Sequence, residues 1–270
     1  MSNTYFDNLC EVIRDRSGIV LNADKAYLVE NRLSPIARRH DCSNVQDFLH
    51  TLRTSRDESV MRDVIDALTT NESFFFRDEK PFKAFREVTL PHLMEARAAR
   101  KRIRIWCAAC SSGQEPFSLA MILHEMKAQF AGWHIDIVGT DLSSAILERA
   151  RKGEFTQFEV QRGLSDAQLK RYFTQNGNNW TVLPEIRSMV DFRPFNLLES
   201  PHALGKFDIV FCRNVLIYFD QQTKERVLSS IVTVSESDAF LALGASETMI
   251  GLSNAYDPVP GGHSIYQIKH

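Results

Sequence analysis

Two carboxylates stand where a chain of this pattern can hold a ligand. Glu115 lies in Trp106-Cys-Ala-Ala-Cys-Ser-Ser-Gly-Gln-Glu-Pro116, a loop of small residues around Gly113. Asp141 follows directly on His134-Ile-Asp-Ile-Val-Gly-Thr140. The elements that must position them are legible around both. Arg102-Ile-Arg-Ile-Trp106 alternates as a strand does, and Phe117 to Met126 carries apolar residues at helical spacing. A strand, a tight small-residue turn and a helix N-terminus form a cradle in which main-chain N–H groups face a ligand. The loop lacks the G-x-G-x-x-G pattern of pyrophosphate sites, and its carboxylate suits a ligand with a cationic part. An acid ending the second strand of such a unit can accept hydrogen bonds from two ribose hydroxyls. Either feature alone also fits a plain strand–helix turn, because Glu-Pro and Asp commonly start helices. Together they point to an adenosine cofactor without phosphates, S-adenosylmethionine.

The remainder of the chain bounds this reading. With 270 residues there is room for one large α/β domain and a small one. A hydrophobic share of 44% and a charged share of 24% describe an ordinary globular protein. The net charge of −2 speaks against a dedicated nucleic-acid binder. Five cysteines in no framework spacing imply a reducing compartment. With neither a leader-like N-terminus nor an apolar run of about 18 residues, a cytoplasmic protein without membrane insertion is expected. Cys107-Ala-Ala-Cys110 has the spacing of a redox pair, but no second pair or His cluster completes a zinc site, so no metal is expected.

Residues 1–68 are expected to be all-helical. Tyr5 to Ile13 is amphipathic and stops at Ser17-Gly18. Asp24 can cap a helix towards Arg39 with Pro35 in it, and helices over Val45 to Thr54 and Asp57 to Leu68 follow. A connector, residues 69–80, contains Thr69-Thr-Asn-Glu-Ser-Phe-Phe-Phe-Arg-Asp78. Its three phenylalanines serve either as a hinge onto the helical module or as walls beside a ligand held by Asn71, Ser73 and Arg77. From residue 81 to 270 a run of strands and helices predicts an α/β sheet with strand ends near Cys107, Asp141, Asn196 and Arg213 on one rim. Trp180 to Leu183 and Ile186 to Phe192 are expected as a small antiparallel insertion over about 176–192.

Five segments in this order resemble the chemotaxis receptor methyltransferases of the CheR type: Thr69 to Arg77, Ala108 to Pro116, Gly139-Thr-Asp141, Phe195-Asn-Leu-Leu198, and Phe207-Asp-Ile-Val-Phe-Cys-Arg-Asn-Val-Leu-Ile-Tyr-Phe-Asp220. The resemblance runs almost the full length. It implies a Rossmann-like class I methyltransferase sheet, an N-terminal helical domain that recognises the receptor, and a small β-subdomain. It also implies transfer of methyl from S-adenosylmethionine to glutamate side chains of chemoreceptor cytoplasmic helices, leaving S-adenosylhomocysteine. By the same resemblance Asn71, Ser73, Arg77, Glu115, Asp141, Asn196, Leu197, Arg213 and Asn214 line the cofactor site, with Arg77 and Tyr218 nearest the methyl. Ser73 stands where threonine is expected and keeps the hydroxyl. Some members dock on a receptor pentapeptide through a longer glycine-flanked loop, whereas Asn176-Gly-Asn-Asn179 is short.

A glutamate nucleophile is already ionised near neutral pH, which accords with the lack of a Ser/His or paired-carboxylate constellation. Arg77 can fork a carboxylate, or else pair with Asp78 or Glu79, and Tyr218 is either an orienting hydroxyl or a core aromatic. Arg32, Arg38, Arg39, Arg53 and Arg56 are the candidate docking residues for an acidic receptor bundle, against the alternative of a solvated helix face. The expected protein is a cytoplasmic monomer recruited to membrane receptor arrays. The competing reading is a non-catalytic protein that binds S-adenosylmethionine or the receptor.

Overall fold

The computed structural model describes residues 3–22, 24, 26–54 and 57–269, without the side chains of 3–5 and 53–54. They fall into two compact units. The first comprises the chain up to Thr70 together with Tyr218–Thr223. It contains α1 (Asn3–Ser17), α2 (Ala26–Arg39), α3 (Val45–Thr54) and α4 (Glu58–Leu68). Each helix buries one stripe. On α2 this is Val29, Leu33, Ile36 and Ala37, and on α4 Val60, Val64, Ile65 and Leu68. Gly18 (φ 77°) ends α1, and Asp57 caps α4 by accepting the Ser59 N–H. Pro35 lies inside α2. The Val20 N–H donates to the Tyr218 carbonyl at 2.9 Å, pairing the Tyr218–Thr223 segment with its unit.

Arg32, expected on the docking face, is turned onto its own chain. Its Nη1 donates to the Leu68 and Thr69 carbonyls at 3.0 and 3.3 Å, satisfying orphan acceptors at the end of α4. Arg39 faces Asp63 at 3.5 Å with both side chains largely exposed, and Arg38 is exposed. Arg56 and the side chain of Arg53 lie outside the described residues.

The second unit, Asn71–Ile217 and Lys224–His270, is a sheet between helices. In chain order it has α5 (Lys80–Ala84), a π-helical turn Phe85–Thr89, α6 (Leu90–Ala96), β1 (Arg102–Ala108), α7 (Gln114–Glu125), β2 (His134–Asp141) and α8 (Ser144–Lys152). Next come β3 (Glu154–Thr156), α9 (Gln157–Gln161), α10 (Asp166–Tyr172), β4 (Phe173–Asn176), β5 (Asn179–Val182), α11 (Pro184–Arg187) and β6 (Val190–Pro194). After β7 (Phe207–Cys212) follow α12 (Gln221–Thr233), β8 (Ser235–Ala242), β9 (Tyr256–Pro258) and β10 (Ile265–Ile268).

Seven strands form the main sheet in the order β6-β2-β1-β7-β8-β10-β9. The first five are mutually parallel, and β10 is antiparallel to both β8 and β9. The central strands are apolar on both faces, as strands covered twice must be: all six residues of β7 are buried. Trp106 Nε1 satisfies itself on Thr140 Oγ1 at 2.8 Å. Chain order runs outward from β1 through β2 to β6, then restarts at β7 on the other side. The carboxyl ends of β1 and β7 therefore flank a topological switch point, where open α/β sheets bind ligands.

A second sheet, β3-β5-β4, is antiparallel. The expected insertion is thus relocated. Trp180 does lie in it, but Pro184–Arg187 is a helical turn, and Val190–Pro194 pairs parallel with β2 as the edge of the main sheet. The third insert strand is instead Glu154–Thr156, far earlier in the chain. Alternating residues suit either pairing, and strand partners are chosen by contacts distant in sequence.

Candidate active site

The loop after β1 runs through an unusual backbone. Ala109 (φ 60°), Ser111 (φ 52°) and Gly113 (φ 94°) are all left-handed. At Gly113 a Cβ would also meet the Phe117 ring at 3.0 Å, so only glycine lets the loop pass onto α7. The Asp141 carboxylate joins this loop to the end of β2: it accepts the Ser111 N–H at 2.8 Å and the Ser143 N–H at 3.0 Å. Ser143 in turn caps α8, its hydroxyl accepting the Ile146 N–H.

Glu115 stands in the first turn of α7 with only 12% of its side chain exposed. Arg213, just beyond β7, is 1% exposed and joins three segments. Its Nη1 donates to Glu115 at 2.8 Å, and its Nη2 donates to the Arg77 carbonyl at 2.7 Å and to Asp78 at 2.9 Å. Burial pushes the Glu115 carboxyl above its ordinary range, and the Arg213 charge opposes that rise. Asn214 (φ 57°) follows, held by Glu247, whose carboxylate accepts the N–H groups of Asn214, Val215 and Gly244 at 2.8, 3.0 and 2.7 Å. Asn196 accepts the Leu198 N–H at 3.0 Å beyond β6, and Leu197 beside it is half-buried.

The connector is anchored to this loop and to α7. Ser111 Oγ donates to the Asn71 carbonyl at 2.9 Å, and the Phe76 N–H donates to Ser118 Oγ at 3.0 Å. Its phenylalanines do different jobs. Phe75 is fully buried edge-on against Phe155 of β3 and Phe173 of β4, at 5.0 and 5.5 Å between centroids. Phe76 packs on Phe82 at 5.4 Å. Phe74 is half-buried and lies under the guanidinium of Arg77, 5.5 Å from its centroid. Ser73 is half-buried within the same segment.

Arg77 does not pair with Asp78 or Glu79. Asp78 goes to Arg213, while Arg77 Nη1 donates to the Glu72 carbonyl at 2.9 Å. Among the described residues no carboxylate lies within ion-pair distance of Arg77. Hydrogen bonds thus link Asn71 through Ser111 to Asp141, and Arg77 through Arg213 to Glu115. Asn214 adjoins Arg213, the Phe195 N–H on the Asp141 carbonyl sets Asn196 and Leu197 just past the end of β2, and Ser73 shares the connector with Asn71 and Arg77. Tyr218 is grouped with the helical unit, directly after Ile217 of the second.

Several participants left no readable signal. Asp78 and Ser111 lie inside quoted motifs but act through contacts remote in sequence, and Glu247 sits in a loop no motif marks. The Cys107–Cys110 pair does not form a disulfide: both thiols are free, buried and pushed well up in pKa by burial. That is the environment of inert rather than reactive cysteines. No helix among the described residues is long and apolar enough to cross a membrane.

Comparison with known proteins agrees with this geometry. Residues 4–69 match the all-alpha domain of CheR methyltransferase, and residues 71–265 match its SAM-binding domain. Chemotaxis protein methyltransferase 1 of Pseudomonas aeruginosa is 41% identical, over 99% of this chain and 99% of its own length. Chemotaxis protein methyltransferase Cher2 of Pseudomonas putida is 39% identical, over 99% and 98%. Chemotaxis protein methyltransferase 1 of Vibrio cholerae is 38% identical, over 100% and 98%. A cofactor-type loop at the sheet's switch point, a helical N-terminal unit and full-length relatedness lead to one conclusion: this chain belongs to the CheR methyltransferase family, enzymes that use S-adenosylmethionine.

Proposed function

We propose that this protein transfers a methyl group to glutamate side chains on the cytoplasmic helices of chemoreceptors, forming methyl esters used in chemotactic adaptation. The observation that carries the reading is Arg77, a cation fixed against the Phe74 ring and the Glu72 carbonyl, with no carboxylate of its own among the described residues. A guanidinium so held offers its remaining donors as a fork for an incoming carboxylate.

The residues fit S-adenosylmethionine. The donor set is two buried carboxylates and two amides around a small-residue turn, matched to a cationic amino-acid end and ribose hydroxyls and poorly matched to phosphates. Glu115 and Arg213 would hold the amino-acid end, Asp141 the ribose, and Asn196, Leu197 and Asn214 the base. When bound, the cofactor supplies an electrophilic methyl on a sulfonium. The protein's part is then to bind and orient. Arg77 steers the substrate carboxylate, and Phe74 and Phe76 keep water from it, which favours a reaction that annihilates opposite charges. No general base is called for, since the nucleophile is already ionised. In-line positioning of this kind supplies up to roughly 7–11 kcal/mol in favourable cases.

The receptor surface would be met by Arg38 and Arg39 on α2. The β4–β5 hairpin turns through Gly177 and Asn178 alone, which supports docking without a pentapeptide tether. The test is transfer of labelled methyl to receptor-bearing membranes. Label on the receptor that mild base releases is the expected result. Cofactor binding without any transfer would favour the non-catalytic alternative.

A further inference from the structure

Arg162 belongs to none of the sequence motifs, yet it shares a ring with Arg77. Its guanidinium lies 4.7 Å from the Phe74 centroid, and that of Arg77 lies 5.5 Å from the same point. Two cations on one ring repel unless compensated. Arg162 is compensated: its Nη1 and Nη2 both donate to Glu72 Oε1 at 3.2 Å. Arg77 takes only the main-chain carbonyl of that same Glu72. One residue therefore serves both arginines, with its carboxylate committed to Arg162 and its backbone to Arg77.

The backbone beside Arg162 is fixed by a close approach. The next residue, Gly163, has φ +92° and lies so close to the connector that a Cβ there would fall 1.7 Å from the Phe75 carbonyl oxygen. The backbone after α9 is thus seated directly on the segment that carries Arg77. The Glu72 side chain is 65% exposed, so without Arg162 little besides solvent would hold its carboxylate in place. Arg77, already bonded to the main-chain carbonyl of Glu72, is then a cation beside that freed carboxylate.

We propose that Arg162 is a positioning residue for methyl transfer: it sequesters the Glu72 carboxylate, which would otherwise occupy Arg77 in place of the substrate's carboxylate. The role rests on the reading that Arg77 receives that carboxylate. An internal competitor on an exposed pair acts by a modest factor, because such pairs are weak and screened.

The test is a set of full-length variants assayed with saturating S-adenosylmethionine, receptor concentration being varied. Arg162→Ala raises receptor KM about two- to fivefold, while calorimetric affinity for S-adenosylhomocysteine and the melting temperature stay close to wild type. Adding Glu72→Gln to Arg162→Ala removes the competitor and restores most of the lost KM. Arg162→Lys, which keeps the charge, behaves closer to wild type than Arg162→Ala and serves if the alanine variant folds poorly. An Arg162→Ala variant with wild-type KM, or a loss that Glu72→Gln does not relieve, overturns the proposal. Failure of the underlying reading registers separately, as an Arg77→Ala variant with unimpaired methyl transfer. An impaired Arg77→Ala variant beside an unrelieved Arg162→Ala variant overturns the role of Arg162 alone.

Discussion

Arg77 and Arg213 lie on either side of one peptide contact and do opposite kinds of work. Arg213 is buried and paired with two carboxylates, so Arg213→Ala leaves Glu115 and Asp78 without their counter-charge. We expect a loss of about 3–5 kcal/mol in urea denaturation. Arg77 is half-buried and makes one hydrogen bond to a carbonyl, so Arg77→Ala should keep a near-normal melting temperature while methyl transfer falls. A comparable stability loss in both variants would make Arg77 a scaffold residue. On the proposed function Asp141 has a double role. As ribose acceptor its replacement by Ala weakens cofactor binding by about 1–3 kcal/mol, and it also strands the Ser111 and Ser143 N–H groups, so stability falls as well. Glu115 gives a pH signature. Its pKa is raised by burial, so binding that requires the carboxylate weakens on acidification from above the ordinary carboxylate range, and Glu115→Gln flattens that limb in calorimetry. At this scale residue identities in compact motifs were legible from the chain. Their partners were not, because Asp78–Arg213 and Glu247–Asn214 join positions remote in sequence.

The elements divide in the same way. The unit β1–loop–α7 was readable because its alternation, small-residue turn and helical spacing are all local. The connector was not, since Phe76 (φ 51°), Asp78 (φ 68°) and Glu79 (φ 38°) adopt a backbone such residues disfavour alone. Tertiary contacts impose it: Phe75 on β3 and β4, the Phe76 N–H on Ser118, and Asp78 on Arg213. Backbone strain of this kind is a common feature of functional sites. The β-subdomain therefore braces the connector, which neither sequence alternative for the phenylalanines anticipated. Phe75→Ala should cost about 3–5 kcal/mol through the cavity it leaves. Gly163→Ala should be at least as severe, because its Cβ would meet a carbonyl oxygen that cannot swing away. By contrast, replacing Cys107 and Cys110 with Ala should spare methyl transfer, which would confirm that the spacing is packing and not redox chemistry.

For the whole molecule, the largely parallel sheet and the helical N-terminal unit follow the order of elements in the chain. The strand that the sequence misplaces, Val190–Pro194, is an edge strand whose partner only the fold decides. Five arginines are the sequence's candidates for a receptor surface, and the structure separates them. Arg32 is employed within its own unit, leaving exposed Arg38 and Arg39 on α2 as the testable pair. Charge reversal at both should raise receptor KM, flatten its salt dependence and spare cofactor affinity, since steering charges act mainly on association. An unchanged KM and salt response would remove α2 from the docking surface. The central claim is that the acceptor is a glutamate carboxylate met by Arg77. Its most direct test is mass-spectrometric mapping of the modified residue on a receptor cytoplasmic fragment after reaction with S-adenosylmethionine. The account predicts a methyl ester on a helix-borne glutamate, lost when that residue is Gln and sharply reduced with the Arg77→Ala enzyme. A methyl group on nitrogen or sulfur, or one that persists with the Arg77→Ala enzyme at the wild-type rate, would contradict it.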